Sequence, residues 1–187
     1  MCVVCSGWLA VLRSYYFPFS VSDLTPNVGL QWYFFTQTFD RFRLFFQLVL
    51  ALLPATLSSA LCLTPSLGGR QPHLSGVLVC CVLQLLHPQP VLGGLAVCGC
   101  LLLPVGWLVG AWMRSVYVQV CVLLFSVVML QLMWFMWLSP GSGNANFFYF
   151  QTLLFGAAFA ALIVEVAAAA RKQLGSLHST TLMNTKS

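Results

Sequence analysis

The sequence predicts an all-α, polytopic membrane helix bundle carrying an interfacial amphipathic helix, on three observations. Of 187 residues 60% are hydrophobic and only 6% are charged, whereas soluble domains run near a quarter charged. The chain has too few polar groups to cover its own apolar surface in water, and its mean hydropathy is +0.92. The apolar residues also gather into runs of crossing length. Segments 44–63, 91–113, 116–138 and 147–170 are close to the about 20 residues that a helix rising about 1.5 Å per residue needs to cross a bilayer core.

Taken in order, residues 1–20 form an atypical N-terminal segment. It is apolar through residue 12, without a basic stretch ahead, so a cleaved signal peptide is not expected. Residues 21–43 join "SDLTPNVG" to a helical pattern: Val28, Trp32, Phe35, Phe39 and Phe42 recur at alternating spacings of four and three, which is one side of a helix. A continuous helix over 26–63 would be about 57 Å long, nearly twice a bilayer core. The first part is therefore expected to lie in the interface before the chain turns into the membrane, with Trp32, Phe35, Phe39 and Phe42 as an interfacial aromatic face. Packing of that face on protein helices is compatible with this.

Residues 44–172 are expected to hold about five transmembrane helices, the four long runs plus 74–86. That last run is short and ends at "HPQP", which suits a span in a thin or protein-buried place or a re-entrant segment; it is counted as a span. Residues 173–187 read as a cytosolic polar tail. Placing that tail inside also puts Arg70, Arg114, Arg171 and Lys172 inside and leaves Arg41 and Arg43, with Asp23 and Asp40, on the far side, in keeping with the positive-inside bias. The consequence is that "SDLTPNVG" and "SPGSGNANFF" share the non-cytosolic face.

The basic residues are scattered singly or in pairs, so they mark topology and no nucleic-acid partner is expected. Cys62, Cys80, Cys81, Cys98, Cys100 and Cys121 lie in or beside apolar runs without zinc-type spacing and read as small buried hydrophobes; no metal centre or cofactor is expected. Asp23, Asp40 and Glu165 and the histidines His73, His87 and His178 form no acid-base or metal motif. Asp40 is placed for a local ion pair with Arg41 or Arg43. Glu165, toward the cytosolic end of the last span, is placed to meet Arg171 or Lys172 by snorkelling.

Both polar motifs are helix starts by their chemistry. Thr25 can cap with Pro26 at the first helical position, and Asn144 or Asn146 can cap the run that begins at Phe147. Helix starts on one face offer backbone N–H groups and partial positive charge to phosphate or sugar hydroxyls. Gly141 and Gly143 would let the backbone approach a ligand closely. Ordinary capping explains the asparagines without any ligand.

"DLTPNVGLQWYFF" followed by "FDRFRLFF", and later "GNANFFY" after an aromatic-rich span, closely resemble the C-terminal part of the PIG-U family, the U subunit of the glycosylphosphatidylinositol (GPI) transamidase complex. "PVLGGLAV" looks like a weaker version of the family's proline-glycine segment, with Gly94 where an acid is expected. The resemblance covers about 21–171, does not take in "MCVVCSGWLAVLRSYYFPF", and is to proteins more than twice this long. It implies the C-terminal part of a GT-C-like fold, residence in the endoplasmic reticulum membrane, and a non-catalytic role in holding the GPI lipid beside the other transamidase subunits and membrane lipid. The implied GPI contacts are Ser142, Asn144, Asn146 and Phe147, then Asp23, Thr25 and Asn27. Alternatives are a fragment of a GT-C-type mannosyltransferase, which would need lumenal carboxylates, and a truncated, non-functional multi-span protein.

Overall fold

The computed structural model describes residues 7–11, 13 and 24–184, and all of its regular structure there is helical. Asp23, Lys186 and much of the segment 1–20 lie outside the described residues. Six principal helices follow residue 24: α1 (Gln31–Gln37), α2 (Asp40–Leu63), α3 (Pro72–Leu85), α4 (Leu92–Val109), α5 (Val116–Leu138) and α6 (Ala145–Asn184). A π-helical turn, Pro65–Gly69, links α2 to α3, and a 3-10 turn, Gly110–Trp112, follows α4.

Three of these helices are long and apolar enough to cross a membrane: α2, α5 and the first 33 residues of α6, Ala145–Leu177. The apolar helices Pro72–Leu85 and Leu92–Gly106 are shorter. At about 1.5 Å per residue α3 is roughly 21 Å long, less than a bilayer core, yet it is the centre of the bundle. It packs on α2, α4 and α6 and buries Leu74, Leu78, Cys81 and Val82. The protein-buried setting considered for 74–86 is the one observed. By contrast α2 is peripheral, with Pro54 its buried residue.

Membrane helices must satisfy their polar groups internally, and the buried Ser126 and Thr152 hydroxyls do so within their own helix. Ser126 Oγ donates to Val122 O at 2.7 Å and Thr152 Oγ1 to Tyr149 O at 2.7 Å. The turn after α2 needs a glycine, because a Cβ on Gly68 would run into the Cys62 carbonyl. Of the cysteines expected to be buried, Cys81 and Cys98 are, but Cys62, Cys80, Cys100 and Cys121 are exposed on the outside of the bundle. An apolar run in a membrane protein has an outer face as well as an inner one, so apolar context alone does not imply burial.

The continuous aromatic face expected from Val28 to Phe42 is broken. Helix α1 stops at Gln37, Thr38 is extended (φ −85°, ψ 130°), and its hydroxyl donates to the Phe34 carbonyl at 2.7 Å. This kind of side-chain bond competes with helix continuation. Asp40 then opens α2 in its first turn, where a negative charge is favoured. The lost register separates the four aromatics: Trp32 and Phe35 are buried, while Phe39 and Phe42 point outward. Asp40 does pair locally, with Arg43 at 3.8 Å, an exposed contact that adds little stability.

The last helix runs on past its apolar segment. Residues 173–184, read as a polar tail, continue α6 as helix. Lys172, Gln173 and Leu174 are good helix formers, with no proline among or after them in the sequence to stop the helix.

Candidate functional site

One end of the bundle gathers the loop 24–30, helix α1, the α3–α4 loop, the end of α5 and the start of α6. The two polar motifs that the sequence placed on one face do meet there. Tyr33 Oη donates to Asn146 Oδ1, and Tyr149 Oη donates to the Leu30 carbonyl at 3.1 Å. Gln31 Nε2 reaches the Leu86 carbonyl at 3.1 Å. Gly29 lies so close to the α3–α4 loop that a Cβ would sit 2.5 Å from Pro90 Cδ.

Aromatic rings hold this rim together. Trp32, almost wholly buried, stacks on Trp137 with centroids 6.5 Å apart and meets Phe148 at 6.2 Å and Tyr149 edge-on at 6.0 Å. Tyr33 stacks on Tyr149 at 4.4 Å. Offset-stacked and edge-to-face contacts each add to simple burial. The Trp32 indole N–H is buried without an acceptor among the described residues, an unusual cost for a donor out of water.

Each asparagine of "GNAN" has an internal task. Asn144 is the N-cap of α6: its Oδ1 accepts the Phe147 N–H at 3.2 Å, the N3 contact that asparagine caps favour. Asn146, in the first turn, is the acceptor for Tyr33. Both remain exposed, as do Ser142 and the Phe147 ring. The glycines serve the turn itself. Gly141 takes φ +67°, and Gly143 donates to Met136 O at 3.1 Å and lies against the last turn of α5, where a Cβ would stand 3.1 Å from Trp137 N.

The first motif is not a helix start. Thr25 and Pro26 precede a loop, and helix begins at Gln31. Asn27 accounts for the delay: its Oδ1 accepts the Gly29 N–H at 2.6 Å, an Asx turn that offers the backbone an alternative to helix. Asn27 is half-buried and Thr25 exposed. Beside this turn opens a cleft of about 210 Å³ whose lining includes Pro26, Asn27, Gln131, Trp134 and Phe148. It is an apolar-walled recess with amide groups from two elements.

Sequence reasoning missed Tyr33, Tyr149, Gln131 and Trp137 as parts of this site. The aromatic run at the end of α5 was the available signal, but the pairing of Tyr33 with Asn146 joins residues 113 positions apart. Gly94, where an acid was expected, lies under the amide of Gln84, which occupies the space a Cβ would need.

The family model of GPI transamidase subunit PIG-U matches residues 3–155. The chain belongs to the PIG-U family. Among its relatives, the GPI-anchor transamidase component PIGU of Homo sapiens is 31% identical over 150 residues, 80% of this chain and 34% of that protein. The Mus musculus protein of the same name is 30% identical over 150 residues, with the same shares. The GPI transamidase component GAB1 of Saccharomyces cerevisiae is 28% identical over 160 residues, 86% of this chain and 40% of that protein. The chain thus spans about a third of the length of the PIGU relatives it matches. The PIG-U match takes in residues 3–20 and stops before 171, whereas the motifs alone delimited 21–171.

Proposed function

We propose that this chain serves as a non-catalytic subunit of a GPI transamidase complex in the endoplasmic reticulum membrane, where its rim helps bind the GPI glycolipid. Its relatives carry the name of transamidase components, which supports the complex and the other subunits as partners. The observation that supports the lipid assignment is the clasp of Tyr33 on Asn146 and of Tyr149 on the Leu30 carbonyl, beside a cleft lined by the amides of Asn27 and Gln131. Exposed asparagine amides offer donors to phosphate and sugar oxygens, and the start of α6 adds first-turn N–H groups that helix geometry leaves without intrahelical acceptors. The aromatic walls suit the lipid side of such a molecule. Two carboxylates are engaged structurally, Asp40 with Arg43 and Glu165 with the start of α5, which supports a binding role over proton transfer.

The test is photocrosslinking of a GPI analogue to the chain co-expressed with the other transamidase subunits. Labelling is expected on 26–28 and 144–148. Asn144→Ser keeps a helix cap while removing the amide donor; combined with Asn146→Leu it should lower labelling about tenfold, the loss of roughly 1.4 kcal/mol of binding. Co-purification with the partners should be undiminished, as should that of Tyr33→Phe, which releases the clasp without touching either asparagine. Labelling confined to surfaces remote from both segments overturns the assignment.

A further inference from the structure

Along the flank of the bundle, from Leu86 at the rim end of α3 to Arg171 on α6, α2, α3 and α6 line a groove of about 360 Å³. Leu57 and Leu61 of α2, Val82 of α3, and Ile163 and Ala167 of α6 line it, and a single charged residue, Arg171, stands at its edge. Taking about 30 Å³ for each water-sized group, the groove holds roughly a dozen methylenes, the scale of one acyl chain.

The charge of Arg171 is what selects the occupant. Its Nε donates to the carbonyl of Ala167 at 3.4 Å, a residue that also lines the groove. The carboxylates of the described residues are committed elsewhere: Asp40 pairs with Arg43, and Glu165 accepts from Arg114 N, Ser115 N and Ser115 Oγ. An arginine at the end of an apolar segment thus lacks an acidic side chain from its own chain among those residues. A guanidinium in that setting pairs best with an oxyanion delivered at membrane depth, and basic recesses between membrane helices are suited to anionic lipid head groups.

We propose that this groove binds an anionic phospholipid of the leaflet on the tail side, one acyl chain lying between α2, α3 and α6 and the phosphate on Arg171. The groove meets the rim at Leu86, but its charge lies at the far end on Arg171, and the assignment does not depend on the glycolipid reading. Its occupant is an ordinary membrane lipid, held as a structural ligand in a gap that α2, packed mainly through α3, leaves against α6.

The experiment uses the chain in nanodiscs of phosphatidylcholine doped with phosphatidylserine bearing a diazirine in one acyl chain, with adducts mapped by mass spectrometry. Adducts should concentrate on Leu57, Leu61 and Ile163, above those on the outer face of α5 at Val128. Arg171→Gln should lower groove adducts about tenfold and leave those at Val128 unchanged, while Arg171→Lys retains part of the signal. A phosphatidylcholine probe of the same design should label the groove less than the phosphatidylserine probe does. Ala160→Phe, which narrows the groove without touching Arg171, should remove the groove adducts; if that variant fails to fold, the Arg171→Gln comparison decides alone. Even labelling of groove and outer faces, labelling indifferent to Arg171→Gln, or a groove left unlabelled because another protein helix fills it, each overturns the proposal.

Discussion

Trp32→Ala is expected to lower the stability of the chain by about 3–5 kcal/mol, the range for removing a large buried aromatic, and to loosen the whole rim. Trp32 is the ring on which α1, α5 and α6 converge, through Trp137, Phe148 and Tyr149. Its loss opens a cavity and also frees α1, a helix of only 7 residues that cannot hold itself together by propensity. Trp32→Phe separates the two properties of the side chain. It keeps most of the ring packing and removes an indole N–H that has no acceptor among the described residues, so it should cost far less than the alanine variant. Reversible denaturation in mixed micelles gives the midpoints. Equal losses for both variants would mean the N–H is bonded, and an unchanged Trp32→Ala midpoint would mean that α1 is held by the bilayer surface rather than by the bundle.

What the sequence made legible was mainly local. A cap at Asn144 or Asn146 was readable because an asparagine just before an apolar run has few other tasks, though only the structure selects Asn144, and the Asp40–Arg43 pair follows from helical spacing. The break between α1 and α2 was hidden because the spacing of Val28, Trp32, Phe35, Phe39 and Phe42 runs through it unbroken; a hydroxyl bond at Thr38 outweighs that pattern. Thr25 and Pro26 looked like a helix start, yet the Asn27 side chain two positions before Gly29 decides the local backbone. The central place of α3 is tertiary information, since a short apolar run reads the same whether lipid or protein surrounds it. The clasp of Tyr33 on Asn146 depends on two distant elements arriving at one end of the bundle, and no spacing rule reaches that far.

Glu165 shows the same limit and gives the second large effect. The sequence suggested Arg171 or Lys172 as its partner, but a separation of six residues puts Arg171 on another face of α6, and seven puts Lys172 two turns away. The carboxylate instead reaches across to α5. Its Oε1 accepts from Arg114 N at 2.5 Å and Ser115 N at 2.7 Å, and its Oε2 accepts from Ser115 Oγ at 2.7 Å. Ser115 is the N-cap position of α5 and its side chain makes no cap bond to that helix, so Glu165 supplies from α6 the cap that α5 lacks. A negative group at a helix start is favoured by the dipole, and hydrogen bonds to a carboxylate are stronger than neutral ones. Glu165→Ala should therefore cost about 2–3 kcal/mol, less than the sum of three charge-assisted bonds because they are not additive and the site is partly solvated. Glu165→Gln, with one acceptor oxygen and no charge, should fall between the alanine variant and the parent. Global stability alone would not locate the effect, so the deciding measurement is hydrogen exchange at the Arg114 and Ser115 amides. Those two should lose protection while the interior of α5 around Ser126 keeps it. Protection unchanged at both amides would show that the start of α5 is held by packing, and that the carboxylate is incidental to it.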